Sequence, residues 1–173
     1  MQPAHDLAWL NWLGTEEAVQ ELLHCCGSKR WASAVAEARP YSSVDALIAK
    51  ANEIWASLDR DDWLEAFRSH PKIGEQKAAD QVSAQAQQWS GQEQTGVASA
   101  SRETTNTLAA LNRAYELKFG YIFIICATGK TSSEMLAALR ERLLHDTADE
   151  LRIAAAEQSK ITELRLKKLL TSA

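Results

Sequence analysis

Residues 111–127 read Leu-Asn-Arg-Ala-Tyr-Glu-Leu-Lys-Phe-Gly-Tyr-Ile-Phe-Ile-Ile-Cys-Ala, and two structural periods meet inside them. Leu108, Leu111 and Tyr115 share one face of a helix that runs from about Ser101 to Lys118, and Gly120 supplies its stop. The next seven residues, 121–127, are β-branched and aromatic, and Gly120 and Gly129 bracket them. They read as a buried extended segment. A lone strand makes no sheet, so its N–H and C=O groups need other partners, and a bound polar ligand is one answer.

Outward from this stretch the pattern is helical. Ala18, Val19, Leu22, Leu23 and Cys26 share a face after Thr15-Glu-Glu, and Gly27 ends that run. Ser43 opens a helix with Val44, Leu47, Ile48, Ala51, Ile54, Trp55 and Leu58 spaced three and four apart. A short amphipathic helix over 61–67 should end before Ser69-His-Pro71, because a residue preceding proline is pushed out of the α region. The polar stretch 73–101 is expected to be partly helical. Thr131-Ser-Ser-Glu134 and Thr147-Ala-Asp-Glu150 both fit the capping-box pattern, the second opening a long final helix. Only seven glycines and three prolines interrupt the chain, and no internal repeat appears. The expectation is an all-α single domain over 1–173 with one buried extended segment near 121–127.

The length of 173 residues suits one domain. An apolar fraction of 46% and a charged fraction of 24% are ordinary for a soluble globular protein. A net charge of −4 argues against nucleic-acid partners, which select a basic face. Three cysteines, two of them adjacent, make a poor disulfide framework and fit a reducing cytoplasm. The N-terminal residues carry no secretory pattern, and the longest apolar run, 121–127, is far too short to cross a membrane. A cytoplasmic protein without membrane contact is expected.

Chemistry has few places to reside. His5 lies near the terminus, His24 on the polar side of a helix, and His145 where a helix C-terminus favours a cation. His70 differs: it sits in a loop directly before a proline, which fixes the local backbone. No metal-ligand spacing is present, so no metal is expected. Gly129-Lys-Thr131 resembles the end of a phosphate loop, but Ile124 stands where its first glycine is required. Ser90-Gly-Gln-Glu93 allows two readings. It is a capping box with Ser90 at the N-cap, or Ser90, Glu93 and Gln94 face a pocket together from one helix face.

Four segments in order resemble a known family. Ser69-His-Pro-Lys-Ile-Gly74 is similar to the His-Pro signature of the OHCU (2-oxo-4-hydroxy-4-carboxy-5-ureidoimidazoline) decarboxylases, and Ser90-Gly-Gln-Glu-Gln94 to their Ser-x-x-Glu-Gln motif. Residues 111–127 resemble their Leu-Asn-x-x-Tyr-x-x-x-Phe-Gly-Phe-x-Phe segment, and 151–170 their final helix. The resemblance implies an all-α fold, usually a homodimer, and a cofactor-free decarboxylation of OHCU to (S)-allantoin in urate breakdown. It implies that His70 is the catalytic acid/base and Glu93 the second catalytic group. It also implies that Pro71, Ser90, Gln94, Phe123, Ile124, Ile125, Cys126 and Ala127 line the substrate site. Lys72, Gly74, Thr128 and His145 depart from the family's commoner residues.

That chemistry is self-consistent. The substrate carries a carboxylate and a hydroxyl on one carbon beside a C=N bond, so it supplies its own electron sink. A neutral histidine can take the hydroxyl proton and return one to the adjacent carbon. Ser90 and Gln94 can complement the N–H and C=O groups of a ureide. Two rivals remain: an enzyme acting on another small ureide, and a helical interaction module presenting some of the six tryptophans.

Overall fold

The computed structural model describes residues 5–74, 83–98 and 100–171. Among them the backbone forms ten α-helices and no β-strand. They are α1 (Leu7–Trp12), α2 (Thr15–Leu23), α3 (Lys29–Glu37), α4 (Val44–Ser57), α5 (Arg60–Arg68), α6 (Ala84–Glu93), α7 (Thr95–Ala98), α8 (Arg102–Phe119), α9 (Ser132–Arg142) and α10 (Thr147–Leu169). None is long and apolar enough to cross a membrane. The chain divides into two compact units, Met1–Ala66 with Ser159–Ala173, and Phe67–Gln158.

In the first unit α2 packs on α3 and α3 on α4. Leu10, Leu22, Trp31, Val35 and Leu47 are fully buried there. Each such side chain contributes about 1.5–3 kcal/mol by leaving water. The Trp31 indole N–H finds its partner in the Ala51 carbonyl at 3.1 Å, so a large ring is buried without stranding a donor. The Arg39 guanidinium donates to the Leu10 and Leu13 carbonyls at 2.6 and 2.8 Å, satisfying the end of α1. Arg165, near the end of α10, is 2% exposed and donates to the His24 carbonyl.

The second unit holds an aromatic cluster. The Tyr115 ring lies 4.6 Å from Phe119 and 5.4 Å from Phe123, and Phe67 lies 5.4 Å from Tyr121. Helix α8 starts at its Ser101 cap and stops at Gly120, whose φ of 83° is left-handed and suits glycine. Residues 121–127 then run without helix, nearly all buried.

Two capping expectations change. Ser90 is not an N-cap, because α6 begins at Ala84, where the Ser83 side chain accepts from the Ala86 N–H. Thr147 does not cap α10: the Asp146 carboxylate accepts from the Asp149 N–H at 2.8 Å, and Glu150 is fully buried in an ion pair. Gly14 precedes α2 as its cap, with the Glu17 carboxylate accepting from the Gly14 N–H. Motif spacing alone identifies a possible box; the backbone register decides which residue occupies the cap. The helical expectation for 73–101 holds in α6 and α7, while residues 75–82 and 99 lie outside those described.

Candidate active site

All the site residues expected from sequence belong to the Phe67–Gln158 unit. The His-Pro loop leaves α5 with the His70 N–H on the Phe67 carbonyl at 3.2 Å, which turns the chain before Pro71. Helix α8 holds this loop from one side. Asn112 Nδ2 donates to the Ile73 carbonyl at 2.9 Å, and Glu116, one turn on, pairs with Lys72 at 2.8 Å. That pair is half-exposed and adds little stability. Helix α6 holds the loop from the other, since the Gly74 N–H donates to the Gln94 side-chain oxygen at 3.0 Å. Gly74 has φ 89°, a left-handed turn that glycine permits.

On α6, Ser90 and Glu93 are 3% and 8% exposed. They share the inward face that their spacing of three predicts. A cavity of about 490 Å³ opens beside them, within the usual range for small-ligand sites. Pro71, Gly74, Ser90, Gln94, Val97 and Thr105 contribute to its wall. The structure thus brings Pro71, Ser90 and Gln94 to one cavity. His70, Glu93 and residues 123–127 do not line it. They lie in the buried layer, with His70 7% exposed.

The partners of the extended segment are side chains. Arg142 donates to the Ile124 carbonyl and lies 4.5 Å above the Phe123 ring. Glu157 accepts from the Cys126 N–H at 3.4 Å, and Lys130 Nζ donates to the Cys126 carbonyl at 2.9 Å. The protein therefore supplies these backbone groups with partners that the sequence leaves open. Arg142 is itself held in a buried network. Its Nε and Nη2 reach one oxygen of Glu150 at 2.7 and 2.6 Å, Tyr115 donates to the same oxygen, and His145 meets the other at 3.0 Å. Burial and the hydrogen bond to Glu150 push the Tyr115 hydroxyl well above its ordinary pKa. His145, read from sequence as a cation at a helix end, is a partner of this buried carboxylate.

Burial also raises the pKa of the Cys126 thiol. Lys130 opposes that rise, and Glu157 and Glu93 reinforce it, so these charges all act on the same segment. Gly96 lets α7 approach the loop that follows this segment: a Cβ there would lie 2.1 Å from the Lys130 carbonyl oxygen. Among the described residues no three His, Cys, Asp or Glu side chains converge as a metal site.

Sequence reasoning missed Gln158. His70 Nε2 lies 2.6 Å from its side-chain oxygen, and Gln158 is fully buried. A polar residue on the inward face of a helix is the signal that could have found it. Its neighbour Glu157 is aimed at Cys126, so one turn of α10 serves both the loop and the extended segment.

Comparison with known proteins identifies the family. The OHCU decarboxylase family pattern matches residues 11–167. The uric acid degradation bifunctional protein TTL of Arabidopsis thaliana is 43% identical over 148 residues, covering 85% of this chain. The chain spans only 45% of that relative's length, and 31% of a bifunctional relative from a Bacillus strain. A 2-oxo-4-hydroxy-4-carboxy-5-ureidoimidazoline decarboxylase of Haloferax volcanii is 31% identical, with 78% of this chain and 77% of that protein covered. A crystal structure of an OHCU decarboxylase in the presence of (S)-allantoin superposes with TM-score 0.76 at 40% identity, covering 88% of this chain and 98% of that one. With the family pattern matched over most of its length, the chain belongs to the OHCU decarboxylase family.

Proposed function

We propose that this chain decarboxylates OHCU to (S)-allantoin in urate degradation, without a cofactor. His70 is the acid/base, and Glu93 holds either the imidazole or the ureido N–H groups. Pro71, Ser90 and Gln94 contact the substrate from the cavity wall, and Phe123, Ile124, Ile125, Cys126 and Ala127, which do not line that cavity, contact it from the buried layer. The observation that carries this reading is the joining of the His70 loop to α6, through the Gly74 N–H on Gln94, beside a cavity of about 490 Å³. Family membership supports the reaction class.

The residues present suit the steps. Cleavage of the C–COO⁻ bond sends its electron pair into the adjacent C=N, and the nitrogen takes a proton. His70 accepts the hydroxyl proton as the carbonyl forms and returns a proton to the neighbouring carbon. Delivery from one face makes a single enantiomer. The burial of His70 and Glu93 supports this reading, because fixed groups act more strongly away from bulk water.

The working form is a homodimer in the cytoplasm, and the whole chain acts as one domain. The compartment is supported by three buried cysteines that form no disulfide. Light scattering at micromolar concentration tests the dimer, and a monomer removes it. The activity test mixes purified protein with freshly generated OHCU and follows circular dichroism for wild type and His70→Ala. Rapid appearance of one enantiomer, lost in the variant, is the expected result. A wild-type trace no faster than the spontaneous racemic decay overturns the proposal.

A further inference from the structure

We propose that Gln158 is a positioning residue that holds the neutral His70 ring in its Nε2–H form, so that Nδ1 is the nitrogen that takes and returns the proton. This rests on the reading of His70 as the acid/base. An imidazole has two nitrogens, and in the neutral ring one carries the proton while the other is basic. The hydrogen bond at one nitrogen selects the tautomer and so decides which nitrogen does chemistry. Here the partner of Nε2 is a side-chain carbonyl oxygen at 2.6 Å, and an oxygen of that kind only accepts. The bond joins residues 88 apart in sequence. Gln158 is 0% exposed and His70 7%, so water does not compete for it. Breaking it would leave a desolvated carbonyl and a desolvated N–H without each other.

The choice of an amide matters. A carboxylate at the same place would favour the imidazolium, and the ring must lose its proton as readily as it gains one. A neutral amide orients the ring without adding a charge. The position of Gln158 on α10 is well defined, because Glu157 beside it accepts from the Cys126 N–H and Gln158 follows about 100° further round the helix. The ring is thus tied to the helix that also positions the extended segment.

The test combines spectroscopy and kinetics. Protein carrying ¹⁵N-labelled histidine is examined by two-bond ¹H–¹⁵N correlation at a pH where His70 is neutral, with His70→Ala assigning the signal. The wild type is expected to show Nε2 protonated and Nδ1 bearing the lone pair. Gln158→Met removes the acceptor at similar volume. It should release the tautomer preference and lower kcat by about 10²-fold with little change in KM, below the loss seen when a catalytic histidine is locked in the wrong tautomer. Gln158→Glu keeps an acceptor but adds a charge that favours the imidazolium, so it should keep Nε2 protonated while moving the acid-side fall of kcat to higher pH. A wild-type spectrum with Nδ1 protonated overturns the proposal, as does a folded Gln158→Met with unchanged tautomer and kcat. If that variant fails to fold, the wild-type spectrum decides alone. Full turnover by His70→Ala would instead sink the acid/base reading, while the spectrum would still report which nitrogen Gln158 faces.

Discussion

Replacing Arg142 by Met should be among the most damaging single changes in the second unit. Arg142 and Glu150 are 7% and 0% exposed, and two guanidinium nitrogens sit 2.6 and 2.7 Å from one carboxylate oxygen. Removing the cation leaves a buried negative charge, which typically costs about 3–5 kcal/mol. Tyr115 and His145 remain on the carboxylate and soften that loss. Against this, the Ile124 carbonyl also loses its donor, a further penalty of about 1–3 kcal/mol for a buried group. The two corrections oppose each other, so about 4 kcal/mol is expected. Urea unfolding followed by far-ultraviolet circular dichroism measures it through the midpoint at constant m. Adding Glu150→Gln to Arg142→Met removes the stranded charge and should recover part of the loss, as a double-mutant cycle would show. A folded Arg142→Met within 1 kcal/mol of wild type would refute the claim that this buried pair anchors the segment.

Three further outcomes follow from the same geometry. Gly96→Ala sets about 1 kcal/mol of helix propensity against a Cβ placed 2.1 Å from a backbone oxygen. The clash should win, lowering stability by about 1–3 kcal/mol in urea unfolding and reducing kcat/KM as α7 is displaced. Asn112→Asp removes the donor to the Ile73 carbonyl and aims a second acceptor at it. Turnover should fall as the His70 loop loosens, while Asn112→Gln retains a donor and should lose less. Alkaline pH should destabilise the fold: burial raises the Cys26 thiol from 9.0 to about 12 and the Tyr41 hydroxyl from 10.0 to about 12. Both groups hold their protons more tightly when folded, so their contribution is complete below about pH 9 and declines as pH rises toward 12. Urea midpoints at pH 8, 9.5 and 11 should decrease in that order, and a flat series would contradict it.

Local pattern determined much of this protein. The spacing of Leu47, Ala51 and Trp55, the Ser43 and Ser101 caps, and the Gly120 stop all act within one or two helical turns, so they are legible in sequence. The non-helical character of 121–127 was legible for the same reason, since β-branched and aromatic residues between glycines resist a helix. His70, Glu93 and Ser90 could be singled out because proline and a spacing of three constrain the backbone nearby. What holds those residues was decided only in three dimensions. Gln158 meets His70 across 88 residues, Asn112 meets Ile73 across 39, and Arg142 reaches Ile124 across 18. The register of α6 within a polar stretch made Ser90 a buried interior residue rather than a cap, and α10 took Asp146 in place of Thr147. Such contacts depend on which faces pack together, and hydrophobic periodicity specifies that a face is buried without naming the polar atom it will meet.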